Sequence, residues 1–439
     1  MTKEVHIIGG GLAGCEAAWQ IARAGGHAVL YEMRPAKNTP AHKTGSLAEL
    51  VCSNSLKSEQ ENSAPRLLKD ELRRLGSLLI DIADRHRVPA GHALTVDREV
   101  YAAQVTRAIQ NEPHIELRHE EVTTLTGDRT WIIASGPLTS DALAAEIARI
   151  TGSERLFFYD SISPIVESES IDTSIAFRAS RYGKSLDGTD DYLNCPFDRD
   201  EYEAFLDALL GASSVPAHIE QDNTKYFEAC LPIEEIARRG RDTLRFGPMK
   251  PMGLTDPRTG RRPWAVVQLR QENARAGSWN LVGFQNHMRF GDQARVLRMI
   301  PGLQNAEFLR YGQVHRNTYI NAPALLEATL RLRSHPNIFF AGQISGVEGY
   351  VESIATGLIA GLAAVAESPR AFPRETALGS LCAYVSGADP KNYQPANITF
   401  DLLPKLEHPP KDRKQRQAEV CRRARVAMEE HLHDLVDAL

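Results

Sequence analysis

Cysteine is scarce in this 439-residue sequence: six residues, at 15, 52, 195, 230, 382 and 421, with no Cys-x-x-Cys pair among them. That spacing excludes a disulfide framework or a zinc ribbon and predicts free thiols in a reducing cytoplasm. Fourteen histidines form no His-Glu-x-x-His run, so no metal is expected. The start of the chain lacks the basic, then apolar, then small-residue order of a signal peptide, and no targeting segment is expected. The uncharged stretch Ile354 to Ala366 is too short, and too rich in glycine and alanine, to span a bilayer. We find neither an internal repeat nor a low-complexity segment.

The chain has 42% hydrophobic and 24% charged residues, which excludes a mostly disordered protein and leaves enough apolar surface for a sizeable core. Its length predicts two or three domains. Net charge is −5, which by itself does not point to a nucleic-acid partner, but the charge is unevenly spread. Arg238 to Arg262 holds eight basic and two acidic residues; Lys405 to Arg425 holds eight basic and three acidic. Two basic islands on an acidic body are either solvated surface or a footprint for a polyanion.

Val5 to Ile8 reads as a short apolar strand, Gly9-Gly10-Gly11-Leu12-Ala13-Gly14 as a tight turn, Cys15 to Ala24 as a helix, and His27 to Tyr31 as a second strand closed by Glu32. Gly9, Gly11 and Gly14 match the G-x-G-x-x-G spacing. The first glycine permits the turn, the second lets the backbone approach a pyrophosphate, and the third lets helix and strand pack closely. The helix start offers free N–H groups to phosphate, and Glu32 supplies a carboxylate for ribose hydroxyls. Trp131 to Ala134 reads as another strand. Ile338 to Ala341 leads into a second glycine loop, Gly342 to Tyr350, with Gln343 and Gly349 inside it. The small-residue helix Val351 to Ala364 follows. Its start, aimed at a flavin ring, would stabilise negative charge on reduction; Gly357 and Gly361 also fit simple close packing of the helix on the sheet.

The predicted fold is therefore α/β. A Rossmann-like dinucleotide-binding domain is made of residues 1–136 and 337–400, with a large α+β domain inserted at 137–336. A basic helical tail, 401–439, completes it, its helix running from Lys411 to Met428. Within the insertion, Glu201 to Leu210 reads as helix and Ala265 to Leu269 as strand. The aromatic run Ser278 to His287 is either a stacking surface or core. Cys52 and Cys230 are the candidate nucleophiles; Cys15, Cys382 and Cys421 read as structural, and Cys195 is left open. A thiolate is the reactive form, and the arginines that follow Cys230 would favour it if folded nearby.

Several longer segments resemble one family. They are the glycine turn with Tyr31-Glu32-Met33-Arg34-Pro35, Thr39-Pro40-Ala41-His42, Ala48 to Ser55 around Cys52, Val88 to Gly91, Arg245 to Pro251, Val267 to Gln271, His315 to Thr318 and Gly342 to Gly349. Together they resemble the folate- and flavin-dependent tRNA (uracil-5-)-methyltransferases, the TrmFO family, over most of the chain up to about residue 370. Gly10 stands where alanine is usual, and Ala229 and Leu231 where glycine and methionine are usual. The resemblance implies a glutathione-reductase-like FAD-binding domain at 1–136 and 337–400, with FAD as cofactor, 5,10-methylenetetrahydrofolate as one-carbon donor, NAD(P)H as reductant and tRNA as partner, and with methylation at C5 of the T-loop uridine. By resemblance Cys230 attacks uracil C6 and Cys52 takes a proton-transfer role near the flavin. His287 stacks on the pterin, and the basic stretch with Arg238, Arg239 and Arg241 holds phosphates. Uracil C5 is a poor nucleophile until a thiolate saturates C6, and a methylene becomes a methyl only with an added hydride. Three rivals stand beside this reading: the same chemistry on a ribosomal RNA uridine, a relative of the larger flavoprotein that modifies wobble uridines, and an RNA-binding flavoprotein without methyltransferase activity.

Overall fold

In the computed structural model, which describes residues 3–436 apart from 40, 153–155, 162, 186–188, 215–230 and 313, the strand Glu4–Ile8 lies inside a six-stranded sheet. His27–Tyr31 and then Ile115–Arg118 extend the sheet on one side, both in parallel. Thr130–Ile133 and then His335–Phe340 extend it on the other, again in parallel, with Arg331–Leu332 antiparallel at the edge. Val5, Ile7, Val29, Leu30, Ile132 and Ile133 are all buried, as in parallel strands covered on both faces. The chain winds outward from Glu4–Ile8 in one direction, then returns to fill the other side. The crevice at the carboxyl ends of Glu4–Ile8 and Thr130–Ile133 is thus a topological switch point, the place where such sheets bind ligands.

The first helix is Leu12–Arg23, three residues earlier than the sequence predicts, because Gly11 acts as its N-cap and Leu12, Ala13 and Gly14 form the first turn. Gly11 offers no side chain to that turn, so its N–H groups face the crevice uncapped by it. The late helix Tyr350–Val365 packs directly on the first helix. A Cβ at Gly357 would strike the Ala13 carbonyl oxygen, and one at Gly361 would stand 2.7 Å from that of Ala17. These two glycines serve close packing, but against a helix rather than the sheet.

One apolar core gathers residues from Val5 to Ile147 and from Tyr319 to Met428. It includes Leu143 and Ile147 of the helix Asp141–Thr151, and Cys421, Ala424 and Met428 of the tail helix Arg413–Val436. A second core lies wholly between Val166 and Ala306. Its sheet is antiparallel throughout, in the order Phe177–Arg178, Tyr192–Phe197, Ala265–Gln271, Ser278–Leu281, Ile165–Glu167, Phe308–Arg310. The helix Arg199–Leu210 starts with a capping box between Asp198 and Glu201 and buries Tyr202, Phe205, Leu206 and Leu209 in this core. Trp279 and Phe284 are fully buried here too, so they are core rather than a stacking surface. The architecture is the α/β class expected, with an antiparallel unit inserted between the halves of a parallel sheet.

Candidate functional site

The crevice is lined by main chain and side chains from eight separated segments: Ile8, Gly9 and Gly11 to Ala13, Tyr31 to Arg34, Thr39 and His42, Glu49 and Val51, Glu120 to Val122, Ala134 to Ser140 with Leu143, Gly342 and Gln343, and Tyr350 with Ser353. The structure thus brings together most of the predicted dinucleotide-binding residues. Gly9 has φ +106°, and a Cβ there would meet the Ala134 carbonyl oxygen at 2.5 Å. Gly14 holds the turn closed, since a Cβ would run into the Gly9 carbonyl. Gly11 differs: a Cβ there meets nothing within 4 Å. The open space in front of the helix start, bounded by glycine main chain, fits a pyrophosphate. Gly10 and Gly14 stay outside the crevice lining. Gly349 forms the N-cap of the late helix at φ +116°.

Glu32 is buried at 5% exposure beside Arg34 at 2%. Arg34 donates Nε to Oε1 and Nη2 to Oε2, both at 3.0 Å, while the backbone N–H of Arg34 and of Gly10 each donate at 3.0 Å. Burial alone would raise this carboxyl, but the Arg34 contacts outweigh it and hold it below the ordinary range. Each oxygen already takes two donors, so a ribose hydroxyl must share them. Arg34 also reaches Glu49 at 3.2 Å, and Glu49 in turn accepts the backbone N–H of Lys43 (2.9 Å) and Thr44 (3.1 Å). Sequence reasoning missed the role of Arg34, although the Glu32-x-Arg34 spacing after a strand was a usable signal.

Cys52 follows Val51, which lines this crevice. The Tyr350 hydroxyl accepts the backbone N–H of Cys52 at 2.9 Å and of Ser53 at 3.0 Å, tying the loop to the start of the late helix. Three arginines grip the same loop. Arg98 donates to the Leu50 carbonyl (2.5 Å), Arg310 to that of Val51 (2.7 Å), and Arg270 to the Ser53 hydroxyl (2.7 Å) and the Asn54 side-chain oxygen (3.1 Å). Glu272 pairs with Arg98 at 2.7 Å. Burial first, then Arg98, lowers the Arg310 guanidinium, and Cys52 acts in the opposite sense. Cys52 also acts on Arg98, so its sulfur lies within electrostatic reach of both. Cys52 is half-buried; Cys15, Cys195, Cys382 and Cys421 are buried. Burial pushes the Cys195 and Cys382 thiols up to about 12 and that of Cys421 up to about 11, so all three read as structural.

Cys230 lies outside the described residues. The helix Ile233–Arg238 follows it, and there the Glu234 carboxylate accepts the His287 backbone N–H at 2.6 Å. His287 packs beside this helix, in the inserted unit, and does not line the crevice. Burial pushes its imidazole down to about 4, so the ring is neutral near pH 7. Arg238 pairs with Glu235, and Arg241 with Glu203 and Asp207. Arg239 lines a surface depression with Leu231 and Phe246. Among the described residues no group of three or more His, Cys, Asp or Glu is placed to hold a metal ion, and no helix is long and apolar enough to cross a membrane.

The GIDA family profile, described as Glucose inhibited division protein A, matches residues 4–370. A protein of Solibacter usitatus (strain Ellin6076) named Methylenetetrahydrofolate--tRNA-(uracil-5-)-methyltransferase TrmFO is 72% identical, over 99% of this chain and 100% of that one. The protein of the same name from Koribacter versatilis (strain Ellin345) is 64% identical, over 97% of each chain. Among solved structures, Aquifex aeolicus GidA superposes with a TM-score of 0.68 at 15% identity, over 100% of this chain and 76% of that one, a likeness of fold alone. With the expected motifs present and relatives this similar over nearly their whole length, the chain belongs to the TrmFO family.

Proposed function

We propose that this protein methylates C5 of the T-loop uridine of tRNA, with 5,10-methylenetetrahydrofolate as carbon donor, FAD as cofactor and NAD(P)H as reductant. One observation carries the reading. The loop holding Cys52 is fixed, through the Tyr350 hydroxyl, to the helix that lines the same crevice as the glycine turn. On this reading the loop of the proton-transferring thiol borders the dinucleotide site through Val51 and Tyr350.

When bound, FAD supplies the hydride that turns a methylene unit into a methyl group. The chain's own residues do the rest. The uncapped N–H groups at Leu12 to Gly14 bind the pyrophosphate across the open face of Gly11. Arg34 keeps Glu32 ionised in a buried place. The Cys230 thiolate adds to uracil C6, which places electron density on C5, and leaves again once C5 carries the methyl group. Cys52 accepts the proton released from C5; Arg98 and Arg310 supply positive charge beside it. His287, neutral and seated against the helix that follows Cys230, is assigned to the pterin.

We also propose that the inserted unit is narrower than 137–336, because Leu143, Ile147 and Tyr319 to Leu332 pack in the first core. A cytoplasmic location follows from the substrates. The test is incubation with unmodified tRNA transcript, labelled methylenetetrahydrofolate and reduced nicotinamide, followed by nucleoside analysis. Labelled 5-methyluridine is the expected product. A yellow protein that binds tRNA yet never forms it would overturn the reading.

A further inference from the structure

On the inserted unit, away from the crevice, lies a second groove. It is lined by Trp264 and by Phe246, 78% exposed, together with Arg199, Arg245, Arg261 and Arg262. The Arg245 guanidinium sits 3.5 Å over the Trp264 ring, and Arg199 faces the same ring at 5.3 Å. The acids nearby are already engaged: Asp198 and Glu201 cap each other's helix turn, and Asp256 pairs with Arg258 at 2.8 Å. Arg245 pairs with Asp242 at 2.7 Å. Arg199, Arg261 and Arg262 have no carboxylate partner among the described contacts, so the groove presents net positive charge around an exposed aromatic face. An aromatic ring beside planar guanidinium groups is the chemistry that stacks an unpaired base and grips its phosphates.

The groove and the Cys52 loop lie at opposite ends of one strand. Trp264 precedes the strand Ala265–Gln271, and the carbonyl of Gln271 at its other end accepts from Asn54, two residues from Cys52. Six strand steps span about 20 Å. A polynucleotide spans that easily. Phe246 also borders the adjoining depression lined by Leu231, the residue next to Cys230 in the chain.

We propose that this groove docks the tRNA, with Phe246 stacked on an unpaired base other than the target uridine and Arg199, Arg261 and Arg262 on phosphates. The proposal rests on the reading of the protein as a tRNA-modifying enzyme and assigns its RNA contact to residues other than the ion-paired Arg238 and Arg241. The test uses the full chain with FAD and compares wild type, Phe246→Ala and the double variant Arg261→Glu/Arg262→Glu. Flavin content and thermal melting verify that the variants fold. Phe246→Ala should weaken tRNA binding about five- to 150-fold, as for loss of one stacked base. The double variant should lower the slope of log K against log salt by roughly 1.4 to 1.8. Wild-type affinity and slope in both folded variants would overturn the proposal, even if wild type makes methyluridine. Displacement of tRNA by polyglutamate as effectively as by a loop RNA would overturn it too, since an acidic chain carries no base to stack. Weakened binding by the variants, with no methyluridine from wild type, would support the groove while overturning the proposed reaction.

Discussion

Gly11 and Gly14 stand three residues apart in one turn, yet the structure assigns them opposite fates on substitution. A methyl group at Gly14 would collide with the Gly9 carbonyl, so Gly14→Ala should disturb the fold of the turn whether or not a ligand is present. A methyl group at Gly11 meets no protein atom within 4 Å, and the backbone there, φ −80° and ψ −168°, suits any residue. Gly11→Ala should therefore leave the apo protein within about 1 kcal/mol of wild type, a less flexible unfolded chain offsetting the loss of a glycine N-cap. The space that it fills is the space assigned to the pyrophosphate. Pushing the phosphates back by about the width of a methyl group should break one or two charge-assisted hydrogen bonds, at ~1.5–3 kcal/mol each. FAD affinity should fall by at least tenfold and by up to ~10⁴-fold. The assay has two arms: flavin retained after gel filtration, and melting of apo and FAD-saturated protein. Wild type should gain about 4 kcal/mol from FAD at a thousand times its Kd, and Gly11→Ala far less at the same concentration. A variant that keeps stoichiometric flavin and the full ligand-induced shift would refute the placement of the pyrophosphate.

Further expectations concern the remaining site residues. Cys230→Ala should abolish methyluridine formation with flavin still bound, and Cys52→Ala should do so while leaving tRNA affinity intact; sustained turnover in either would remove its assigned role. Arg34→Met should cost about 3–5 kcal/mol in urea unfolding, because it strands a buried Glu32 carboxylate, and a loss under about 1 kcal/mol would show the pair to be dispensable. His287, lowered by burial from an unfolded value near 6.5 to about 4, binds fewer protons when folded. Its contribution is present above about pH 6.5 and lost as pH falls toward 4, so between pH 7 and 4 His287→Gln should lose up to ~3 kcal/mol less stability than wild type. Equal losses in the two proteins would show that the ring is not desolvated.

What was legible in the sequence was local. The glycine turn, Glu32 and the loop Gly342–Tyr350 are set by spacing within a few residues, and the crevice gathers them as expected. What was not legible depended on neighbours far along the chain. The basic island Arg238 to Arg262 reads as one patch, but the structure divides it. Arg241 meets Glu203 and Asp207 from the helix Arg199–Leu210, while Arg261 and Arg262 join Arg199 on a separate groove. The aromatic run around Trp279 and Phe284 reads equally as platform or core, and only the sheet that covers it decides for core. The first helix starts at Leu12 and not at Cys15 for a related reason: its N-cap, Gly11, makes no side-chain bond that the sequence could announce.

The Cys52 loop illustrates why the inserted unit matters to the crevice. Residues 50–54 obtain much of their hydrogen bonding from side chains brought in by four distant segments: Arg98, Arg270, Arg310 and Tyr350. Arg270 and Arg310 lie on strands of the second sheet, whereas Arg98 and Tyr350 belong to helices around the first. Asn54 completes the bridge by donating to the Gln271 carbonyl at 2.9 Å. The sulfur of Cys52 is thus positioned by both units at once, and neither sheet alone supplies the whole set of contacts. A loop held this way has a geometry that depends on how the two units sit against each other. If RNA binds on the inserted unit, the load passes along the same strand, Ala265–Gln271, that carries Arg270 to the loop. Substrate docking and the placement of the thiol proposed to transfer the proton then share one strand. That gives a physical reason for threading the inserted unit through the middle of a dinucleotide-binding fold instead of appending it at an end.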